Sequence, residues 1–291
     1  MAAPIPKTWT VLDLLRWTTQ HFTERGVETP RLDAECLLAH ALGCDRLRLY
    51  VDYDRPVDES ERTRFRELVR ERAQARVPVA LLVGAREFWS LPLRVTRDVL
   101  VPRPDTETLV AAALDAFPDR EAELDVLDVG TGSGAVVLAI AHERPKARCT
   151  ATDISPAALA VAAENATRLG LADRVCFAEG SLFEPVAGRS FDLVVSNPPY
   201  VAERDAAALA PELAHEPRTA LFAGHDGTDV LRAFAAQVRD VLKPDAAVLV
   251  ELDPAQAETV AAWLAAAGLV EIVTHRDMAG RPRVVAARLS A

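Results

Sequence analysis

The chain has 291 residues, 33 Lys and Arg against 43 Asp and Glu, and a formal net charge of −10 with half its residues hydrophobic. That length holds one or two globular domains. No apolar run approaches the ~20 residues of a membrane span, and the opening MAAPIPKTWT lacks the basic-then-apolar layout of a signal peptide. Four cysteines without a CxxC pair and six histidines without HxxxH or HxH spacing leave no pattern for a metal centre or a disulfide framework, so reduced thiols in a cytoplasmic protein are expected. Residues 1–85 hold 13 basic and 13 acidic side chains, so the negative charge falls on the remainder. Duplex nucleic acid is held through Lys and Arg, and no direct nucleic-acid partner is expected.

In chain order, TVLDLLRWTTQHFTERG reads as a helix with Val11, Leu14, Leu15, Thr18 and Phe22 on one face and a stop at Gly26. PRLDAECLLAHALG reads as a second, with Pro30 near its start and Gly43 at its end. DESERTRFRELVRERAQAR reads as a third, opened by a capping-box pair, Asp58 and Glu61. Residues 79–101 change to a strand-like period broken by Gly84 and Pro92, as a hairpin joining two domains would. A helix is expected directly after the prolines of VPRPDTETLVAAALDAF.

From Leu124 strand and helix alternate. LDVLDV, ARCTATD, RVCFAEG, FDLVVSN, AAVLVEL, LVEIVTH and RVVAARL read as strands, and residues 135–143, 156–169, 227–242 and 254–267 as helices. Such alternation predicts an α/β fold with a mostly parallel, Rossmann-like doubly wound sheet. RDMAGRP is too short for a crossover helix, so the last two strands should be antiparallel neighbours. The expected domains are a helical one over 1–76, a β-hairpin linker over 77–101 and a catalytic one over 102–291.

Between the first strand of that region and its helix lies DVGTGSG, with Gly130, Gly132 and Gly134. Glycines let a loop approach a ligand closely, and a helix N-terminus offers free N–H groups. Asp153 ends the next strand, 23 residues after Gly130, where an acid accepts hydrogen bonds from ribose hydroxyls. N-capping of the following helix falls to Ser155 before Pro156. Ala135 after the loop suits a nicotinamide or another nucleotide alike, but no acid/base pair for hydride transfer is identifiable. The loop resembles motif I of class I S-adenosylmethionine methyltransferases, and Asp153 their ribose-binding acid.

FDLVVSNPPY ends a buried strand in Asn197, Pro198, Pro199 and Tyr200, 67 residues after Gly130. Prolines stop a strand by donating no hydrogen bond and locking φ. The motif resembles the [DNS]-P-P-[YFW] signature of methyltransferases that act on planar nitrogens. An amide nitrogen is a poor nucleophile carrying two N–H donors. Two aimed acceptors, the Asn197 side-chain oxygen and the Pro198 carbonyl, would free its lone pair, with Pro199 stiffening the turn and Tyr200 covering the flat substrate face.

The likeness extends along the chain through EFWSLPLRV, VPRPDTETLV, HEPRTALFAGHDGTDVLR and DMAGRPRVVAAR. With the helical N-terminal region, these resemble the release-factor glutamine methyltransferase family (PrmC/HemK). That resemblance implies methyl transfer from S-adenosylmethionine, leaving S-adenosylhomocysteine, to the side-chain amide nitrogen N5 of the Gln in the Gly-Gly-Gln motif of class I peptide chain release factors. It implies cofactor binding by Gly130, Thr131, Gly132, Ser133, Gly134, Asp153, Leu182 and Asn197, and holding of the glutamine by Asn197 to Tyr200, with Asn197, Pro198 and Tyr200 catalytic. No metal, membrane or nucleic acid is implied. Two positions depart from the pattern: Ser181, where an acid often stands, with Glu179 nearby, and Asp253 at a glycine position, where a local loop change is expected. The competing readings are a ribosomal-protein glutamine methyltransferase, a nucleic-acid amino methyltransferase for adenine N6 or guanine N2, and an idle adaptor that binds S-adenosylmethionine. The N-terminal helices would dock the protein substrate.

Overall fold

A computed structural model describes residues 8–290. The chain divides into two compact units, 1–84 and 85–291. The first unit is helical: α1 Val11–Glu24, α2 Pro30–Leu42, α3 Arg46–Val51, α4 Glu59–Gln74 and α5 Val79–Val83. Its stop and start signals act as their chemistry requires. Pro30 occupies the first turn of α2 and Gly43 closes it at φ +64°, while Asp58 and Glu61 cap α4 reciprocally. Val11, Leu15, Phe22, Leu37, Leu38 and Phe65 share its core.

α5 corrects the strand expected from residue 79. VALLV is apolar throughout, so its periodicity cannot separate strand from helix. The flanks decide: Pro78 sets the N-terminal cap, and Gly84, at φ +71°, closes the turn in the left-handed region. The hairpin proper, β1 Ala85–Phe88 and β2 Leu91–Arg94, belongs to the second unit. Trp89 and Ser90 turn it at φ +50° and +59°, and the Glu107 carboxylate accepts the Trp89 N–H at 3.0 Å. Phe88 is buried and Trp89 packs against the same core.

The second unit continues with α6 Glu107–Ala116, β3 Asp125–Val129, α7 Ala135–Glu143, β4 Arg148–Asp153, α8 Pro156–Arg168, β5 Val175–Glu179 and β6 Phe191–Ser196. It ends with α9 Arg218–Leu221, α10 Asp229–Gln237, β7 Leu242–Glu251, α11 Ala257–Ala266, β8 Val270–Arg276 and β9 Pro282–Arg288. Seven strands form one sheet in the order β5-β4-β3-β6-β7-β9-β8. β5 through β7 are parallel, and β9 runs antiparallel to both β7 and β8.

A sheet covered on both faces needs strands apolar on both sides. In β3, Val126 enters the core beneath α6 and α7, and its neighbour Leu127 enters the core beneath α10 and α11. From β3 the chain winds outward through β4 and β5, then returns to β6 on the other side of β3. Order reverses there, and a crevice opens at the carboxyl ends of β3 and β6. Among the described residues, no helix is long and apolar enough to cross a membrane.

Candidate active site

A cavity of about 480 Å³ lies at that crevice. Its floor is the loop Gly130–Gly134, whose three glycines all have positive φ. At Gly134, φ is +83°, and an added Cβ would stand 2.9 Å from Leu138 Cδ1 and 3.2 Å from Ala162 Cβ, so loop and helix meet where only glycine fits. The backbone N–H groups of Gly130 and Thr131 both donate to the Thr152 carbonyl, at 2.8 and 2.9 Å. The Thr131 hydroxyl donates to Asp128 Oδ2 at 2.7 Å, beneath the loop. Asp128 is fully buried and its carboxyl is pushed up to about 7, chiefly by desolvation and further by the negative Asp153, while the Thr131 bond acts the other way.

Asp153 sits at the end of β4, as expected. Its Oδ2 accepts the Gly132 N–H and its Oδ1 the Ser155 N–H, both at 2.9 Å. Each oxygen keeps a second lone pair, enough for a pair of vicinal hydroxyls. Ser155 caps α8 by accepting the Ala158 N–H. Ser181 and Leu182 line the same cavity, Leu182 at φ +48°, and half-exposed Ile154 adds an apolar edge. Glu179, paired in register with Asp153, is exposed and outside the wall.

Sequence reasoning missed Asn165 on α8. It is fully buried, donates to the carbonyls of Ser133 and Arg94 at 2.9 and 3.0 Å, and accepts the Arg94 N–H at 2.7 Å. One carboxamide thus ties the glycine loop to the end of β2. Its only sequence signal was a polar side chain on the inward face of an amphipathic helix.

β6 delivers the second motif. The Ser196 hydroxyl donates to the Val129 carbonyl at 2.7 Å, locking the ends of β6 and β3 together. Asn197, Pro198 and Pro199 then line the cavity. Asn197 Nδ2 donates to the Thr106 hydroxyl at 3.2 Å. Asn197 Oδ1 and the Pro198 carbonyl accept no hydrogen bond among the described residues, so two acceptors stand uncommitted at the cavity.

Tyr200 does not take the covering position expected of it. It is outside the cavity wall and its ring packs on the core beneath α10 and α11. Its hydroxyl points at Glu251 Oε1, 3.4 Å away. Burial and the neighbouring Glu251 raise its pKa, so the phenol keeps its proton. Glu251 is 1% exposed, and desolvation pushes its carboxyl up to about 7.

The remaining walls come from two segments far apart in sequence. Glu216, buried, accepts the Val101 N–H through Oε2 at 2.9 Å and pairs with Arg103 through Oε1. This ties VPRPDT and HEPRTALF together at one opening, with Arg103, Thr106, Thr219 and Phe222 in its wall. Glu107 is turned away toward Trp89. Asp253 adopts an ordinary φ of −68° and caps a short 3₁₀ turn, so the local change expected there is a cap that needs no glycine. That turn aims Gln256 Nε2 at the carbonyls of Tyr200 and Gly227, 3.1 and 3.0 Å away.

Residues 13–84 match the family described as PrmC N-terminal domain, and residues 106–243 the methyltransferase small domain. The chain is 44% identical over 284 residues to the release factor glutamine methyltransferase of Rhodopirellula baltica, covering 95% of each chain. It is 43% identical over 285 residues to that of Geobacter sulfurreducens, covering 98% of each. Among solved structures, the ribosomal protein L11 methylase of Lactobacillus delbrueckii superposes with a TM-score of 0.51 at 22% identity, over 68% of this chain and 86% of that one, a likeness of fold. A glycine loop and an NPPY turn set side by side at the switch point of a methyltransferase sheet are thus accompanied by close identity over nearly the full length, and the chain belongs to the release factor glutamine methyltransferase family.

Proposed function

We propose that this protein transfers a methyl group from S-adenosylmethionine to the side-chain amide nitrogen N5 of the Gly-Gly-Gln glutamine of class I peptide chain release factors. Family membership supports the reaction class. The observation that carries the chemistry is the pair of uncommitted acceptors at Asn197 and Pro198, 67 residues from Gly130 in sequence and in the same cavity wall.

The residues present fit the methyl donor. Asp153 retains a lone pair on each oxygen for the ribose hydroxyls, the backbone of Gly130–Gly134 with Thr131 and Ser133 receives the methionine end, and Leu182 with Ile154 offers an apolar slot for a purine. Asn197 would touch both donor and substrate. S-adenosylmethionine, when bound, supplies an electrophilic methyl group on a sulfonium.

The chain's own groups do the rest by position and fixed dipoles. Asn197 Oδ1 and the Pro198 carbonyl accept the two N–H bonds of the glutamine amide. Held this way, the nitrogen is drawn out of conjugation with its carbonyl and its lone pair is free for the methyl group; as the new N–C bond forms the S–C bond breaks, and the methylated nitrogen, strongly acidic, then releases one N–H proton to solvent. Pro198 and Pro199 offer no competing N–H and restrict φ, so the acceptors stay fixed. Tyr200 supports the motif from behind through Glu251.

The helical unit docks the protein substrate in this reading. It exposes Trp17, Leu47, Tyr50, Val51 and Tyr53, each at least half exposed, an apolar excess suited to a protein partner. Deleting residues 1–84 is expected to cut methylation of a full-length release factor far more than S-adenosylmethionine affinity. Equal losses in both would reject docking.

The deciding assay incubates the protein with labelled S-adenosylmethionine and, separately, a release factor, its Gln→Ala loop variant and DNA. Label should enter only the intact release factor. Asn197→Ala should abolish transfer while donor binding by calorimetry persists. Label in DNA, or in the Gln→Ala variant, would overturn the assignment.

A further inference from the structure

We propose that the Phe222 ring is the flat cover of the substrate carboxamide, in the position that Tyr200 leaves unfilled. The inference rests on the methyl-transfer reading above and names the surface against which the glutamine amide lies.

The chain has nine phenylalanines. Eight of them are buried in one of three core clusters or packed against one, and Phe222 belongs to none. It is half-buried and lines the cavity, where it is the one aromatic residue of the wall among the described residues. A large apolar side chain leaves water by joining a core. A ring held out of every core, beside convergent polar groups in a pocket, has the placement of a ligand-covering surface.

The backbone fixes that ring beside the two acceptors. Val201, three residues past Pro198, pairs in parallel with Phe222. The Val201 N–H donates to the Leu221 carbonyl at 2.9 Å, and the Val201 carbonyl accepts the Ala223 N–H at 3.0 Å. Phe222 is extended, at φ −97° and ψ 135°, and extended chain sends successive side chains to opposite sides. Leu221 and Ala223 are both buried, so Phe222 between them faces the other way, to the cavity. Ring and NPPY turn therefore ride on one bridged pair of segments and keep their spacing.

Arg218, four residues earlier, sets the chemistry of the ring. Its guanidinium lies over the ring, 4.3 Å from the centroid. Arg218 is not in the cavity wall, so it covers the face turned away from the cavity. A cation is drawn to the negative π face of an aromatic ring. With one cation already seated, electron density shifts toward it, and the opposite face has less to offer a second cation such as a sulfonium. That face suits a neutral planar group, and a carboxamide is one. The ring also keeps water from the Asn197 and Pro198 oxygens, for which water would compete with the amide N–H groups.

The test uses the full chain with Phe222→Ala, Phe222→Leu and Phe222→Tyr. Three quantities are measured: kcat for release-factor methylation with donor and release factor saturating, donor affinity by calorimetry, and Tm. Phe222→Ala should lower kcat about tenfold, the kinetic equivalent of one lost aromatic stack, with donor affinity unchanged. Phe222→Leu keeps the apolar bulk, and so the Tm, but removes the flat face, so its kcat should fall as far as that of Phe222→Ala. Phe222→Tyr keeps the ring and should restore most of the kcat.

Wild-type kcat in Phe222→Ala or in Phe222→Leu would overturn the cover, the latter by showing that bulk is enough. A kcat as low in Phe222→Tyr as in Phe222→Ala would overturn it too. A loss of donor affinity as large as the loss of kcat would place the ring on the donor and overturn it as well. Each of these results leaves methylation by the wild-type protein in place. If the wild-type protein labels no release factor, the functional assignment itself fails, and the carboxamide cover falls with it.

Discussion

Gly227 stands 27 residues beyond Tyr200, yet a Cβ added to it would lie 2.4 Å from the Tyr200 carbonyl oxygen, 2.8 Å from the Ala202 nitrogen and 2.9 Å from the Val201 carbonyl carbon. All three are backbone atoms, so no rotamer change relieves the clash. The backbone they belong to is itself held: Val201 exchanges hydrogen bonds with Leu221 and Ala223, and Gln256 clamps the carbonyls of Tyr200 and Gly227. Gly227→Ala therefore carries a left-handed φ of +72°, worth about 1–2 kcal/mol. Overpacking adds about 1–3 kcal/mol. The total of about 2–5 kcal/mol corresponds to a fall in Tm of roughly 5–20 °C for a unit of this size.

Gly280→Ala is the control, because φ is +78° there and nothing lies within 4 Å of the added carbon. It should show the conformational cost alone, about 1–2 kcal/mol. Calorimetric unfolding of both variants isolates the clash. Methylation kinetics and donor titration should then show Gly227→Ala losing kcat more than donor affinity, since the displaced atoms adjoin Asn197 and not the glycine loop. Equal Tm values for the two variants would refute the reasoning, by showing that the NPPY exit yields freely.

Asp128 makes stability pH-dependent: its folded-state pKa is raised to about 7, so between its ordinary ~4 and 7 the native state keeps a proton that the unfolded chain has released. Stability from this group is fully present below pH ~4 and is lost as pH rises through 7, and Asp128→Asn should flatten that slope by up to about 4 kcal/mol. Urea midpoints of both proteins at pH 5 and 8 measure it, and an identical slope would discount the buried acid. Asn165→Ala strands the Arg94 N–H and the carbonyls of Arg94 and Ser133. It should cost about 2–4 kcal/mol and weaken donor binding through the glycine loop, with calorimetry as the check and unchanged affinity as the contrary result.

Short-range chemistry was legible in the sequence. The alternation from Leu124, the caps at Asp58 and Ser155, the glycines of DVGTGSG and the strand-ending prolines each act within a few residues, so the chain displays them directly. Their order also sufficed to place the glycine loop and the NPPY turn at the same end of the sheet, because parallel crossovers bring successive strand ends to the same side. VALLV shows where periodicity stops: five apolar residues carry no period, and the flanking Pro78 and Gly84 are what bound them as a helix. Tertiary structure alone brought Thr106 to Asn197, 91 positions on, Glu216 to Arg103, Asn165 to Arg94, and the Tyr200 hydroxyl to Glu251. Those pairings depend on strand order and register, which insert β6 between β3 and β7 and level Ser196 with Val250. The residue types that can touch an amide are thus written locally. The neighbours against which Asn197 and Tyr200 then pack, Thr106 and Glu251, come from far along the chain and are set by the tertiary fold.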